Sequence, residues 1–200
     1  MLGVSPPFDA GFESLATIEE VGKNVKNYKK GDSVAVTSFG AFSEYQYIKE
    51  NKCVKVPSPD PSFLPLLVSG LTASLALECV GNISSNQTVL VTAAAGATGS
   101  FAVQLAKLKG NHVIGTCSSD DKVAFLKSLG CDRVINYKKE DLDSVLSNEY
   151  PKGVNLVYES VGGDTYETCV NHLAIKGTLI VIGMISSYQD QSAWAASDIV

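Results

Sequence analysis

Residues 88–107 read TVLVTAAAGATGSFAVQLAK. The first five residues of this stretch are β-branched or apolar and predict a buried strand. A turn of small residues follows, and residues 101–107 then show the apolar spacing of a helix. Strand, glycine-containing turn and helix is the order in which α/β proteins bind phosphate groups. The stretch therefore predicts the first unit of a parallel-sheet domain.

The turn is a variant of the G-x-G-x-x-G fingerprint, with Ala94, Gly96 and Gly99 at its three glycine positions. Gly96 would let the backbone approach a pyrophosphate, and Gly99 would let the helix pack tightly on the strand. Ala94 departs from the fingerprint. The alternative is a tight packing corner that binds no ligand, but the strand–turn–helix context favours a ligand.

Strands and helices alternate after residue 88, which is typical of a parallel sheet. Several of these strands are apolar at successive positions, as expected when helices cover both faces. The predicted fold class is α/β, a Rossmann-type doubly wound parallel sheet, incomplete with five strands and preceded by a small β domain. The predicted strands are residues 88–92, 112–117, 133–137, 154–158 and 178–183, and predicted helices include 100–109, 120–129 and 164–173.

The chain before residue 88 has a different pattern. Short β-type runs at residues 33–37 and 42–48 alternate with turns, and three prolines at positions 57, 59 and 61 end this region. Residues 63–80 are the most apolar stretch, but Pro65, Gly70 and Glu78 interrupt it, so we expect a core helix and no membrane span. The expected domains are 1–62 (β domain), 63–87 (helical connector), 88–188 (nucleotide-binding domain) and 189–200 (tail).

Charge, cysteine count and terminal sequences indicate which partners and which compartment to expect. The 200 residues carry a net charge of −5, which repels a polyanion, so nucleic acid is not an expected partner. Five cysteines, an odd number without a Cys-x-x-Cys pair, indicate a reducing compartment. The N-terminus has no secretory pattern, and the C-terminus is not Ser-Lys-Leu. We therefore expect a cytoplasmic protein.

The end of the second strand predicts which dinucleotide binds. NAD sites place a carboxylate there, whereas this chain has Cys117-Ser118-Ser119. Ser118 and Lys122 could hold a 2′-phosphate, so NADP(H) is the preferred cofactor. Asp120 and Asp121 count against a phosphate, but we expect them to cap the following helix and to complement its dipole. The alternative for Lys122 is an ordinary solvated lysine.

Several segments together resemble the zinc-independent, quinone oxidoreductase-like medium-chain dehydrogenase/reductases. They include residues 31–34 (GDSV), 40–45 (GAFSEY), 91–99 (VTAAAGATG), 112–119 (HVIGTCSS), 125–133 (FLKSLGCDR) and 157–163 (VYESVGG). The resemblance spans residues 7–188. It implies a partial GroES-like catalytic domain, a Rossmann NADP-binding domain, and NADPH-dependent reduction of the carbon–carbon double bond of an α,β-unsaturated ketone such as a 15-keto-prostaglandin. The implied partner is therefore a small enone or lipid.

The resemblance also implies roles for particular residues. Tyr188 would donate a hydrogen bond to the enolate or the nicotinamide ribose, and its alternative is an exposed loop tyrosine. For Tyr137 and Ser160 the alternative is a hydrogen bond at the entry to a loop, and for Ile182 it is core packing. The implied cofactor-binding residues are Gly96, Thr98, Gly99, Ser118, Lys122, Tyr137, Ser160, Ile182 and Tyr188.

We expect no metal site. The zinc enzymes of the superfamily carry Gly-His-Glu where this chain has Gly11-Phe12-Glu13, and phenylalanine cannot ligate a metal. Cys169 and His172 share a helix face, but two ligands do not make a site, so packing or surface roles are expected.

The chains of the family are longer at both ends. We therefore expect the fifth strand to form an open sheet edge, which puts the usual homodimer of the family in doubt. The peroxisomal address of full-length relatives is absent, and residues 189–200 do not match the family pattern. Two alternative functions remain open: a catalytically silent NADP-binding module and a quinone reductase of the same superfamily.

Overall fold

The computed structural model of this chain describes residues 7–188, which form two compact units divided between Leu71 and Thr72. The N-terminal unit holds a three-stranded antiparallel sheet in which the second strand is central. Val34, Ala35 and Val36 of that strand are buried. The strands are β1 (Glu13–Thr17), β2 (Ser33–Thr37) and β3 (Cys53–Lys55).

The strand predicted at residues 42–48 does not form. No strand among the described residues pairs with this segment, and the side chains of Phe42 and Tyr45 are exposed. Alternating polar and apolar residues make a strand only where a neighbouring backbone takes up their N–H and C=O groups. The prediction was wrong because no strand of the described residues pairs with residues 42–48.

A helical segment, Pro61–Val80, connects the two sheets along the chain. It consists of a 3-10 turn at Pro61–Phe63, a π-helical turn at Leu66–Gly70, α1 (Leu71–Leu75) and a second π-helical turn at Ala76–Val80. The prediction of a core helix holds for one face only. Ala73, Ala76 and Leu77 are buried, whereas Leu71 and Leu75 are exposed. With 20 residues and a hydropathy of 1.8 the segment is also long and apolar enough to cross a membrane, a test that core helices pass too.

The C-terminal unit contains a five-stranded parallel sheet of order β6-β5-β4-β7-β8. This order reverses direction between β4 and β7, as in a doubly wound sheet, so the predicted fold class is confirmed. The strands are β4 (Thr88–Val91), β5 (His112–Cys117), β6 (Arg133–Asn136), β7 (Val154–Glu159) and β8 (Leu173–Val181). The helices are α2 (Ala97–Leu108), α3 (Asp120–Ser128), α4 (Leu142–Glu149) and α5 (Gly163–Asn171).

Both faces of this sheet are covered. Val89 and Val91 of β4 lie in one buried cluster with Val103 of α2, whereas the intervening Leu90 lies in a second cluster with Leu146 of α4. Successive residues of a strand point to opposite faces, so an unbroken apolar run requires a core on each side. This confirms the layered arrangement that the sequence predicted.

The last strand is longer than predicted and begins at Leu173. Its pairing with β7 shifts register between Val154 and Leu156, and Lys176 has a φ of +63°. Lys176 and the following glycine therefore lie at an irregularity within the strand. β8 is an edge of the sheet that residues 7–188 form, as expected, and Ile175 is 95% exposed there.

Gly99 provides a test of the corner between β4 and α2. A Cβ atom at this position would lie 2.5 Å from the Ala93 carbonyl oxygen and 2.8 Å from the Ala94 Cα. Because both neighbours are backbone atoms, we expect Gly99→Ala to lower the free energy of unfolding by about 1–3 kcal/mol. Urea denaturation measures this loss.

The matched control is Gly22→Ala, whose added Cβ would meet only the Val25 side chain at 3.9 Å. We expect it to change stability by less than about 0.5 kcal/mol. Equal urea midpoints for Gly99→Ala and the unsubstituted chain would contradict the packing argument.

Asp132 links α2 to β5 at the amino-terminal end of the parallel strands. Its carboxylate accepts the Val113 N–H at 2.7 Å and the Lys107 ammonium at 2.8 Å. Burial raises the pKa of Asp132, but these two donors outweigh burial, so the pKa lies below its ordinary value. Asp132 therefore stabilises the fold above the pKa it has in the unfolded chain.

We expect Asp132→Asn to cost about 1 kcal/mol at pH 7, a value reduced for the partial exposure of the ion pair. The stabilisation is lost as pH falls through the lowered pKa, so the difference between the two proteins should shrink below about pH 4. Urea denaturation at several pH values measures it. Glu167→Gln, an exposed site in the middle of α5, is the control and should show no such trend. A difference that grows at acidic pH would contradict the sign.

Candidate functional site

The turn after β4 is tight and well anchored. Ala93 has a φ of +46°, and its carbonyl oxygen accepts the Gly96 N–H at 2.9 Å. The Ala94 N–H donates to the Thr116 carbonyl oxygen at 3.0 Å. Ala94 replaces the first glycine of the fingerprint without strain because its methyl group lies against Gly115, where a Cβ would be only 3.0 Å away. The missing glycine is thus compensated across the sheet.

Gly96 is exposed and precedes the first turn of α2, which no side chain caps. Ser119 caps α3 and Asp141 caps α4, whereas α5, like α2, begins without a side-chain cap. An uncapped helix start leaves backbone N–H groups for an anion, and the helix dipole favours negative charge there. The close packing predicted for Gly99 is confirmed, while the approach of a pyrophosphate to Gly96 stays a prediction.

Thr98 lies in this first turn, above a buried tyrosine of the sheet. The Tyr158 side chain on β7 is fully buried beside Thr98. Burial raises the pKa of Tyr158, and the Thr98 side chain partly offsets that effect. The hydroxyl of Tyr158 therefore stays protonated at neutral pH and places a polar group next to Thr98.

The three residues predicted for the adenosine side come together at the ends of β5 and β6. The Lys122 ammonium lies 3.5 Å from the Ser118 hydroxyl. The Tyr137 N–H donates to the Cys117 carbonyl oxygen at 3.0 Å, which holds Tyr137 next to Ser118 along the edge. Tyr137 is half exposed, so its ring is accessible.

The capping role predicted for Asp120 and Asp121 was wrong, but both lie in the first turn of α3, where acids complement the helix dipole as expected. Ser119 has the extended backbone of an N-cap, and its side chain accepts the Lys122 N–H at 3.5 Å. Asp120 is already helical, and its carboxylate binds the Lys139 ammonium at 2.7 Å. This ion pair lowers the pKa of Asp120. The charge of Asp120, one of the two acids that counted against a phosphate, is therefore offset by Lys139.

The residues predicted for the nicotinamide side follow β7 and β8. Ser160 comes directly after β7, and Ile182 comes one residue after β8 ends, not within the strand as predicted. A Cβ on Gly183 would lie 2.7 Å from the Tyr188 hydroxyl oxygen and 3.7 Å from the Ser160 carbonyl oxygen. Gly183 therefore allows the Tyr188 hydroxyl to approach the backbone beside Ser160. Ile182 also packs against the buried core, as its alternative predicted.

Three buried side-chain polar atoms within residues 7–188 have no hydrogen-bond partner: the hydroxyl oxygens of Ser160 and Tyr158 and the amide nitrogen of Asn111. Of these, the Ser160 hydroxyl lies directly after the end of β7. The loop-entry hydrogen bond that was the alternative explanation is therefore not made by this side chain. A buried polar atom without a partner is costly, and a ligand with a polar atom at this point would satisfy the Ser160 hydroxyl. The residues present fit a group with polar atoms bound at this point.

Two residues at this edge were missed by the sequence reasoning, Thr92 and Glu159. Both are fully buried. The Glu159 carboxylate accepts the N–H groups of Val161 and Gly162 and the Thr92 hydroxyl. The available signal was an acidic residue at the carboxyl end of an otherwise apolar strand.

Histidines and cysteines have structural roles in the described part of the chain. Within residues 7–188 no group of three His, Cys, Asp or Glu residues could hold a metal ion. Cys169 is buried in the core, and His172 bonds to Asp143 at 2.8 Å. The expected packing and surface roles of Cys169 and His172 are confirmed. All five cysteines are free.

Two surface cavities lie elsewhere. One of about 590 Å³ is lined by Tyr28 and Cys53 in the N-terminal unit, and one of about 400 Å³ lies between α3 and β6 with Asp120 at its rim. Neither contains the predicted cofactor residues. We assign the site to the strand ends nevertheless, because dinucleotides bind along an open crevice at the carboxyl edge of such sheets.

Comparison with known proteins places this geometry in a family. The profile described as "Zinc-binding dehydrogenase" matches residues 97–199, and the profile "Alcohol dehydrogenase GroES-like domain" matches residues 1–58. The chain belongs to the medium-chain dehydrogenase/reductase family. The dehydrogenase profile reaches residue 199, so the expectation that the tail 189–200 does not match the family pattern was wrong. The structure of that tail lies outside the described residues.

The relatives are oxidoreductases. The chain is 52% identical to mouse (Mus musculus) prostaglandin reductase-3 over 187 residues, which covers 93% of this chain and 50% of that protein. It is 48% identical to a probable quinone oxidoreductase of Leishmania amazonensis, covering 98% of this chain and 58% of that protein. The crystal structure of Escherichia coli quinone oxidoreductase complexed with NADPH superposes with a TM-score of 0.84 at 33% identity, covering 92% and 59%. The chain thus spans between half and three fifths of the length of these proteins.

Proposed function

We propose that the C-terminal unit binds NADPH and that the complete protein uses it to reduce the carbon–carbon double bond of an α,β-unsaturated ketone. The observation that carries the proposal is the buried, unpartnered hydroxyl of Ser160, next to the segment with Tyr188 and on the same edge as the uncapped α2. The 52% identity to prostaglandin reductase-3 supports a 15-keto-prostaglandin or similar lipid enone as the substrate class.

Each part of the edge has a role in this proposal. Gly96, Thr98 and Gly99 form the pyrophosphate turn. Ser118 and Lys122 bind the 2′-phosphate beside Tyr137. Ser160, Ile182 and Tyr188 line the nicotinamide side, where the reduced ring, when bound, supplies a hydride. Because phenols donate hydrogen bonds readily, the Tyr188 hydroxyl stabilises the enolate oxygen that forms on the substrate.

The chemistry is proposed to need no zinc. Phe12 stands where the zinc enzymes of the superfamily carry a histidine, and an aromatic hydrocarbon has no lone pair for a metal. Electrostatic stabilisation of the enolate then falls to hydrogen-bond donors such as Tyr188. A second candidate, quinone reduction with the same cofactor, is supported by the similarity to two quinone oxidoreductases.

The cofactor preference tests Lys122. We expect Lys122→Gln to weaken NADPH binding by about tenfold or more, because a charge-assisted contact to the 2′-phosphate is lost, and to leave NADH binding unchanged. Titration of nicotinamide fluorescence measures both. Lys127→Gln, on the last turn of the same helix, is the control and should keep the preference. An unchanged NADPH to NADH ratio in Lys122→Gln would overturn the assignment.

Turnover tests Tyr188 and separates the candidate functions. With an enone substrate we expect Tyr188→Phe to lower the rate of NADPH oxidation about 10- to 100-fold, because the enolate loses its donor, with NADPH affinity changed less than about twofold. Tyr166→Phe on α5 serves as the control.

Three other outcomes have distinct meanings. Oxidation with quinones but not enones would favour the second candidate. NADPH binding without oxidation by either substrate would indicate a silent module. Equal rates for Tyr188→Phe and the unsubstituted chain would remove Tyr188 from the mechanism.

A further inference from the structure

Glu159 is the last residue of β7 and is completely buried. All the groups that bond its carboxylate are donors. Oε1 accepts the Val161 N–H at 2.7 Å and the Gly162 N–H at 3.1 Å, and Oε2 accepts the Gly162 N–H at 3.1 Å. No lysine, arginine or histidine of the described chain forms an ion pair with it. Burying an acid without a cationic partner costs free energy. We therefore look for the role of Glu159 in the backbone groups that its carboxylate binds.

Thr92 extends this network to the backbone of Ser160. The Thr92 hydroxyl accepts the Ser160 N–H at 2.9 Å. The Thr92 hydroxyl in turn donates to Glu159 Oε1, at 3.2 Å between the oxygens, with the Tyr158 carbonyl oxygen as a longer second acceptor at 3.4 Å. Glu159 therefore fixes Ser160 from both sides, through Thr92 and through the two residues that follow. The backbone of Ser160 is fully engaged, while its hydroxyl stays available.

The same turn is joined to the segment after β8. The Glu159 carbonyl oxygen accepts the Ile182 N–H at 2.7 Å. The Val161 carbonyl oxygen accepts the hydroxyl of Ser186 at 2.6 Å. Gly162 has a φ of +79°, and a Cβ there would lie 3.1 Å from the Met184 Cβ. The turn therefore has little room to move, and the Glu159 bonds set its position between two strand ends.

We propose that Glu159 is a positioning residue for the nicotinamide side of the site. Its carboxylate ties the ends of β4 and β7 together and thereby places Ser160 for the nicotinamide end of the cofactor, while the adenosine side at Ser118, Lys122 and Tyr137 depends on β5 and β6. This inference rests on the proposed binding of NADPH. It assigns the two ends of the dinucleotide to separately held parts of the sheet edge.

The experiment compares two ligands on the full 200-residue chain by isothermal titration calorimetry. NADPH contacts both sides, whereas adenosine 2′,5′-bisphosphate contains only the adenosine end. Glu159→Gln retains one oxygen but turns an amide N–H₂ toward the Gly162 N–H. We expect it to weaken NADPH binding about tenfold and to change the bisphosphate affinity by less than about twofold.

Thr92 supplies a matched pair of variants. Thr92→Val keeps the shape of the side chain but removes the hydroxyl that joins Ser160 to Glu159, so it should reproduce the selective loss of NADPH affinity. Thr92→Ser keeps the hydroxyl and should bind both ligands like the unsubstituted chain. If Glu159→Gln fails to fold, this pair decides the question alone.

Leu146→Val, a core change on α4, controls for general destabilisation and should keep the ratio of the two affinities. Equal losses for both ligands in Glu159→Gln and Thr92→Val would show a merely structural role and overturn the inference, as would no loss for either. An unsubstituted chain that binds neither ligand would overturn the proposed function and the inference with it. If that chain binds both ligands and the variants keep its affinity ratio, only the role of Glu159 fails.

Discussion

The close approach of α2 to the end of β4 is the constraint on which the rest of the C-terminal unit depends. Gly99 has no room for a side chain because the backbone of Ala93 and Ala94 already occupies that space. This contact directs the start of α2 to the carboxyl end of the first strand. It also presses Ala94 against Gly115 of the neighbouring strand, so the phosphate turn and the sheet are held as one body.

Polar groups at the carboxyl edge are organised in two ways. On the proposed adenosine side, an ion pair lies near the surface: Lys139 binds Asp120, and Lys122 lies next to Ser118. On the proposed nicotinamide side, a buried acid and a buried hydroxyl organise the backbone. Surface pairs exchange readily with solvent, whereas a buried network has one low-energy arrangement. The two ends of the proposed site thus differ in how their polar groups are held.

Much of the fold could be predicted because the signals are local. Strands 112–117 and 133–137 were placed within a residue of their observed bounds, since β-branched runs between turn residues have few alternatives. The segment 42–48 and the start of β8 were not, because pairing partners and register shifts depend on residues far away in the chain. The sequence predicted four polar residues of the candidate site: Ser118, Lys122, Ser160 and Tyr188. It did not predict Glu159 and Thr92, because their contact depends on the packing of β4 beside β7.

The amino-acid sequence by itself determined the alternation of strands and helices and the glycine turn. It also determined that Ser118 and Ser119, and no carboxylate, directly follow the strand at 112–117. Each of these depends on neighbouring residues and on the chemistry of one side chain. Tertiary structure alone decided that Asp120 pairs with Lys139, that Ser160 keeps an unpartnered hydroxyl, and that Glu159 binds the end of another strand. Hydrogen bonds and ion pairs between distant residues depend on distances of a few ångströms, and only the packed sheet sets those distances.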